Sequence, residues 1–174
     1  MDNLKRGDVK IGFLAIGLVL IFTLISYALF VYTDGGSNMY PREDSSEKEL
    51  QPLTIRKTAE SAHSDAATYI LYGADDLRTI WEMSFAGEYL PDVDFSNYMV
   101  VAAFLGERGT SGYGIEVTKA EESDTDVYVY VRETLPGPTC KVTEGEYAPM
   151  HAVKIVRSDK PVTFISDTKV TSCD

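Results

Sequence analysis

The chain has 174 residues, with 16 Lys and Arg against 27 Asp and Glu, a net charge of −11. This length suits one globular domain with appendages. The acidity excludes nucleic acid as a partner, because such binding needs clustered cations to displace counterions.

Residues 11–31 are uncharged, and 14 of these 21 are Leu, Ile, Val or Phe. At 1.5 Å per residue such a helix spans roughly 30 Å, the thickness of a bilayer core. Lys5, Arg6 and Lys10 precede the run, and only Arg42 follows within the next 15 residues. The expectation is a single transmembrane helix over 11–33 in the lipid bilayer. Residues 1–10 would be cytoplasmic and the rest extracytoplasmic, anchored in the cell membrane. The rival, a cleaved signal peptide, wants a shorter run and an Ala-x-Ala-like site, which Tyr27-Ala28-Leu29-Phe30-Val31-Tyr32 does not offer.

Residues 34–52 read as a flexible linker: Gly35-Gly36-Ser37-Asn38, then the charged Arg42-Glu43-Asp44-Ser45-Ser46-Glu47-Lys48-Glu49. Residues 53–174 are the expected domain. Leu53 to Lys57 and Ala67 to Tyr72 read as strands. Ala74 to Phe85 reads as a helix, with Leu77, Ile80, Trp81 and Phe85 on one face and Asp75 and Asp76 in the first turn. Trp81 is the expected anchor of helix on sheet.

The run Met99-Val100-Val101-Ala102-Ala103-Phe104-Leu105 suits a strand covered on both faces. Ile115 and Val117 alternate with polar residues, and Glu121 to Asp126 reads as an acidic hairpin loop. Val127, Val129 and Val131 are expected inward, with Tyr128, Tyr130 and Arg132 outward. Pro149 to Val156 and Val162 to Ile165 supply the last strands. The fold class is therefore α+β: a mostly antiparallel sheet, barrel- or sandwich-like, with one packed helix, preceded by the transmembrane helix.

Gly106-Glu107-Arg108-Gly109-Thr110-Ser111-Gly112-Tyr113-Gly114 lacks the Lys and the following helix of a phosphate-cradling loop. It reads either as a turn whose glycines supply positive φ, or as a turn that also displays Arg108, Thr110, Ser111 and Tyr113 to a partner. Pro136-Gly137-Pro138-Thr139-Cys140 is a second rigid loop, which makes Pro136 and Pro138 contact candidates. Cys140 and Cys173 either form a disulfide, in an oxidising compartment, or remain free thiols. His63 lies in a polar stretch and reads as surface, while His151 sits inside a strand as a structural residue. No catalytic set, metal-ligand spacing or cofactor motif is present, so the chain is not expected to be an enzyme.

Three motifs carry a family resemblance. They are Phe104-Leu105-Gly106-Glu107-Arg108-Gly109-Thr110-Ser111-Gly112-Tyr113-Gly114-Ile115-Glu116-Val117, then Glu133-Thr134-Leu135-Pro136-Gly137-Pro138-Thr139-Cys140, then Tyr147-Ala148-Pro149-Met150-His151-Ala152-Val153-Lys154-Ile155. In order and spacing, residues 98–165 resemble the PrcB C-terminal domain family, with Ser111 where that family often has Gly. The name-giving member is a subunit that binds and stabilises an extracellular subtilisin-like protease. The resemblance implies a non-catalytic, protease-associated domain with a protein partner, a secreted protease. Thr110-Ser111-Gly112-Tyr113 is also similar to the loop of chagasin-type cysteine-protease inhibitors. The alternatives are thus an inhibitor using the same loop, or a small-molecule binder of the cell envelope with a cavity near Tyr113.

Overall fold

The computed structural model describes residues 47–173. Ten strands and one helix follow in chain order: β1 (Lys48–Glu49), β2 (Leu53–Thr58), β3 (Ala67–Leu71), α1 (Ala74–Ser84), β4 (Tyr98–Phe104), β5 (Arg108–Thr110), β6 (Gly114–Glu122), β7 (Val127–Pro136), β8 (Glu144–Tyr147), β9 (Met150–Val156) and β10 (Val162–Thr171). One four-stranded sheet has the order β1-β6-β7-β10 and the other β2-β9-β4-β3, while β5 and β8 form a separate ribbon.

The doubly apolar run becomes the centre of the molecule. Successive side chains of a strand point to opposite faces. Met99, Val101 and Ala103 therefore join Val117, Val127, Val129, Val131, Val153 and Ile155 in a core between the two sheets. Val100, Ala102 and Phe104 face the other way and pack with Leu77, Trp81 and Phe85 of the helical layer. The layers run sheet, sheet, helix, so the barrel-or-sandwich alternative resolves to a sandwich with a helix on its outer face.

α1 forms where the periodic apolar face was expected, burying Leu77, Trp81 and Ser84, with Asp75 and Asp76 against the positive end of the helix dipole. On β6, a register shift between Val117 and Lys119 changes the inward phase, so Ile115 and Val117 are followed inward by Ala120.

The expected fold class needs correction. Its transmembrane helix finds no support: among the described residues no helix is long and apolar enough to cross a membrane. The only helix there has 11 residues. Residues 11–33, on which that expectation was placed, lie outside the described residues. The sheets are also mixed, because β10 pairs with β7 in parallel over ten residues, from Val162 opposite Val127 to Thr171 opposite Pro136. β10 extends well past the expected end at Ile165. Three local readings change as well. Lys48 and Glu49, inside the stretch read as linker, pair with Glu122 and Glu121, and Leu50 is buried in the inter-sheet core. Glu121 and Glu122 belong to β6, and only Ser123 to Asp126 turn, closed by Ser123 N–H donating to Asp126 O at 2.8 Å. His63 is buried rather than on the surface, stacked on Phe104 with ring centroids 4.4 Å apart and linked through Nε2 to Tyr69 Oη at 3.1 Å.

Candidate functional site

β4 delivers the chain into the glycine-rich segment, and Gly106 fixes its exit. Gly106 has φ of 76°, a left-handed value that glycine adopts without strain. A Cβ there would lie 2.8 Å from both Ala66 N and Ser64 O. Glu107 N–H donates to the same Ser64 carbonyl at 2.9 Å, so the segment leaves β4 from a stem pinned to residues 64–66.

Beyond the stem the segment is more than a hairpin turn between β4 and β6. Residues 108–110 form β5, with Arg108 opposite Tyr147 and Thr110 opposite Glu144 of β8. Ser111 extends the pairing. Its N–H donates to Thr143 O at 2.9 Å, and its Oγ accepts from Thr143 N–H at 2.9 Å. Ser111 thus holds the ribbon together, and Thr110 is a partly buried ribbon residue. The Arg108 guanidinium lies 5.7 Å from the centroid of the Tyr113 ring and donates from Nη1 to Glu107 O at 2.8 Å. Tyr113 is itself half-buried against the inter-sheet core.

The two loops singled out from sequence meet at one point. Gly112 has φ of 93°, and a Cβ added there would stand 2.9 Å from Pro136 Cβ. Gly112→Ala combines a strained backbone with a collision against a rigid ring. It is expected to lower stability by about 1–2 kcal/mol, read by denaturant unfolding; an unchanged midpoint would show that the contact gives way freely. Pro138 is exposed and stands apart from that contact, in the turn closed by Cys140 N–H donating to Gly137 O at 3.0 Å. Cys140 is joined to Cys173 in a disulfide across 33 positions of sequence. Parallel pairing brings this about: β7 and β10 run side by side to the same end, where Gly137 N–H donates to Thr171 O at 3.0 Å.

Beneath Tyr113 a groove of about 300 Å³ opens between β2 and β6, lined by Lys57, Thr58, Ala59, Tyr113, Gly114, Ile115 and Pro149. The lining is mostly aliphatic and aromatic carbon, with Lys57 tied to Glu116 at 2.8 Å. That partnership, first through the hydrogen bond from Lys57, holds the Glu116 carboxyl below its ordinary value. Behind this wall sits His151, which is buried. Burial, followed by the positive charge of Lys57, pushes its imidazole below the ordinary 6.5. Sequence reasoning missed β8, the β2 wall of the groove and the inter-sheet position of His151. Tyr147-Ala148-Pro149, noticed as a motif, was the one available pointer to them.

Among the described residues no group of three or more His, Cys, Asp and Glu side chains is placed to hold a metal ion. The arrangement offers shape, an aromatic ring under a cation, and an open carbon-lined slot.

Residues 99–156 match the PrcB C-terminal family. The matched segment begins on β4 and ends with β9, so it contains the ribbon, the Gly112–Pro136 contact and the Tyr113, Ile115 and Pro149 walls of the groove. The matched segment is thus similar to a family of protease-complex-associated domains. No curated protein and no solved structure matches the chain.

Proposed function

We propose that this chain is a non-catalytic binding domain that docks a subtilisin-like protease and stabilises it. The docking face is the β5–β8 ribbon, the Pro136 loop and the groove under Tyr113. The observation that carries this reading is the convergence at Gly112 and Pro136. Two loops distant in sequence form one rigid corner beside an apolar slot, within the segment that matches the PrcB C-terminal family. Loops held by a stiff scaffold are the usual carriers of recognition. Tyr and Arg are frequent anchors at interfaces, and here they are already stacked on each other, so less side-chain entropy is lost on docking. A slot of about 300 Å³ sits at the small end of ligand pockets and takes one apolar side chain of a protein partner more readily than a whole small molecule. The Cys140–Cys173 disulfide supports an extracytoplasmic location.

Arg108→Ala combined with Tyr113→Ala tests the assignment. The purified chain is added to a subtilisin-like protease, and the autolysis half-life and peptide hydrolysis are both followed. Wild type is expected to lengthen the half-life and leave hydrolysis intact. The double variant is expected to lose at least ten-fold in affinity, about 1.4 kcal/mol, while staying folded at a melting temperature lowered by the lost packing of Tyr113 on the core. Blocked hydrolysis would favour the inhibitor reading instead. Equal protection by the double variant would remove Arg108 and Tyr113 from the interface.

A further inference from the structure

His151 reaches from one sheet to the other. Its Nδ1 accepts the backbone N–H of Val117 on β6 at 2.9 Å. With that nitrogen engaged as an acceptor, the proton of the neutral imidazole is on Nε2, which donates to Thr54 Oγ1 on β2 at 3.0 Å. The ring thus spans β2 and β6, the two strands that wall the docking groove through Lys57 and Thr58 on one side and Gly114 and Ile115 on the other. Lys57 is the direct cross-strand neighbour of His151. β1 borders β6 at Glu121 and Glu122, well beyond the groove, and beside the groove β6 is held by its pairing with β7 and by Ile115 and Val117 in the inter-sheet core. The second link across the gap, Lys57 to Glu116, has both side chains about half exposed and is weakened by solvent.

A second proton on this ring has nowhere to go without breaking the link. Nδ1–H would face the Val117 N–H, donor against donor. The ring is 3% exposed, so water does not solvate the charge. From β2 the ring meets the Lys57 cation and the neutral Thr54, and from β6 it meets Glu116, which is already paired with Lys57. From β4 the residue opposite is Ala103, which carries no charge, and Arg132 on β7 lies beyond Glu116 as its cross-strand partner.

We propose that His151 is an acid-released latch: protonation breaks the Thr54–His151–Val117 link and lets β6 move away from β2, widening the groove. This rests on the reading of that groove as part of the docking face. The latch holds at neutral pH and releases only in acid, since burial and Lys57 disfavour the charged ring more than Glu116 favours it. Well above 6.5 the ring is neutral in folded and unfolded chains alike, and the link contributes fully. As pH falls below that value, the unfolded chain takes up a proton that the folded protein resists, so stability declines until the folded ring also titrates.

The test is a pH titration of the ¹⁵N-labelled full chain. The His151 ring nitrogens and the amides of Gly114, Ile115 and Val117 are expected to shift together, with a midpoint below 6.5, while the α1 amides stay in place. His151→Asn keeps an oxygen acceptor for Val117 N–H and is expected to abolish this transition. Glu116→Gln removes the one carboxylate that favours the charged ring and is expected to move the midpoint lower. If His151→Asn does not fold, wild type and Glu116→Gln decide alone. A ring that stays unprotonated until every resonance disappears together would overturn the latch, as would an unmoved midpoint in Glu116→Gln. Those results would leave the docking reading intact, whereas failure of Arg108 and Tyr113 to affect docking would leave the titration unchanged.

Discussion

Trp81→Ala is expected to lower the free energy of unfolding by about 3–5 kcal/mol, the largest effect of any single side chain in the helical layer. Trp81 is 6% exposed and lies with its ring 4.8 Å from that of Phe85. It belongs to the cluster that joins α1 to Val100, Ala102 and Phe104 of β4 and to Met150 and Ala152 of β9. Truncation removes the apolar transfer energy of an indole and leaves a cavity that the flanking β4, locked on its other face, cannot collapse to fill. Trp81→Phe separates packing from hydrogen bonding. Trp81 Nε1 finds no hydrogen-bond partner among the described residues, so the orphaned donor already works against the fold. Phe removes that donor while keeping most of the ring, and the loss should stay below about 1.5 kcal/mol. Urea unfolding followed by far-ultraviolet circular dichroism reads both variants. A Trp81→Ala loss under 1 kcal/mol, or Phe as damaging as Ala, would mean that α1 is not held by this residue.

The same cluster explains what was legible in the sequence. Burial leaves a periodic mark where an element faces the core along its whole length. The unbroken run on β4, the alternation of Val127, Val129 and Val131, and the stripe through Leu77 and Trp81 are such marks, and each is where pattern placed it. Elements that face solvent leave none. β8 is Glu144-Gly145-Glu146-Tyr147, whose first three residues are exposed, and it is a strand only because Arg108 and Thr110 pair with it. The distal half of β10, Asp167-Thr168-Lys169-Val170, is exposed and reads as tail. Leu50 is a single apolar residue after a charged stretch, too little for a pattern, although it inserts fully into the core. His63 sits among polar neighbours yet stacks on Phe104, a contact set by long-range folding. At the site, the loops around Gly112 and Pro136 announced themselves by composition. Their meeting, and the β2 wall of the groove, depend on how the two sheets are stacked, which no local spacing encodes.

Opening the Cys140–Cys173 bridge is the second large expected effect, roughly 3–4 kcal/mol by chain entropy for a closed loop of this size. The loss should fall unevenly along β10. Its first residues are anchored, with Val162 and Phe164 packed against the inter-sheet core and Val127 N–H donating to Pro161 O at 2.8 Å. Its last residues are exposed and have a strand neighbour on one side only, β10 being the end strand of its sheet. Beyond the ladder to β7 and the Arg132–Asp167 ion pair, what secures their end is the Gly137–Thr171 hydrogen bond and the covalent bridge just past it. Edge strands without side-chain burial open at low free energy. Cys140→Ser with Cys173→Ser, or reduction of wild type, should therefore strip amide-exchange protection from residues 168–171 before residues 162–164, and shift the urea midpoint as a whole. The Pro136 loop follows, because Gly137 is pinned by the same strand end, and Pro136 is the face that Gly112 rests on. Partner affinity should then fall with reductant even where the ribbon stays folded. Equal stability with and without the bridge would show that the hydrogen-bonded parallel ladder alone holds the strand ends. Uniform loss of protection along β10 would show that the strand opens as one unit, with no weak end for the bridge to secure.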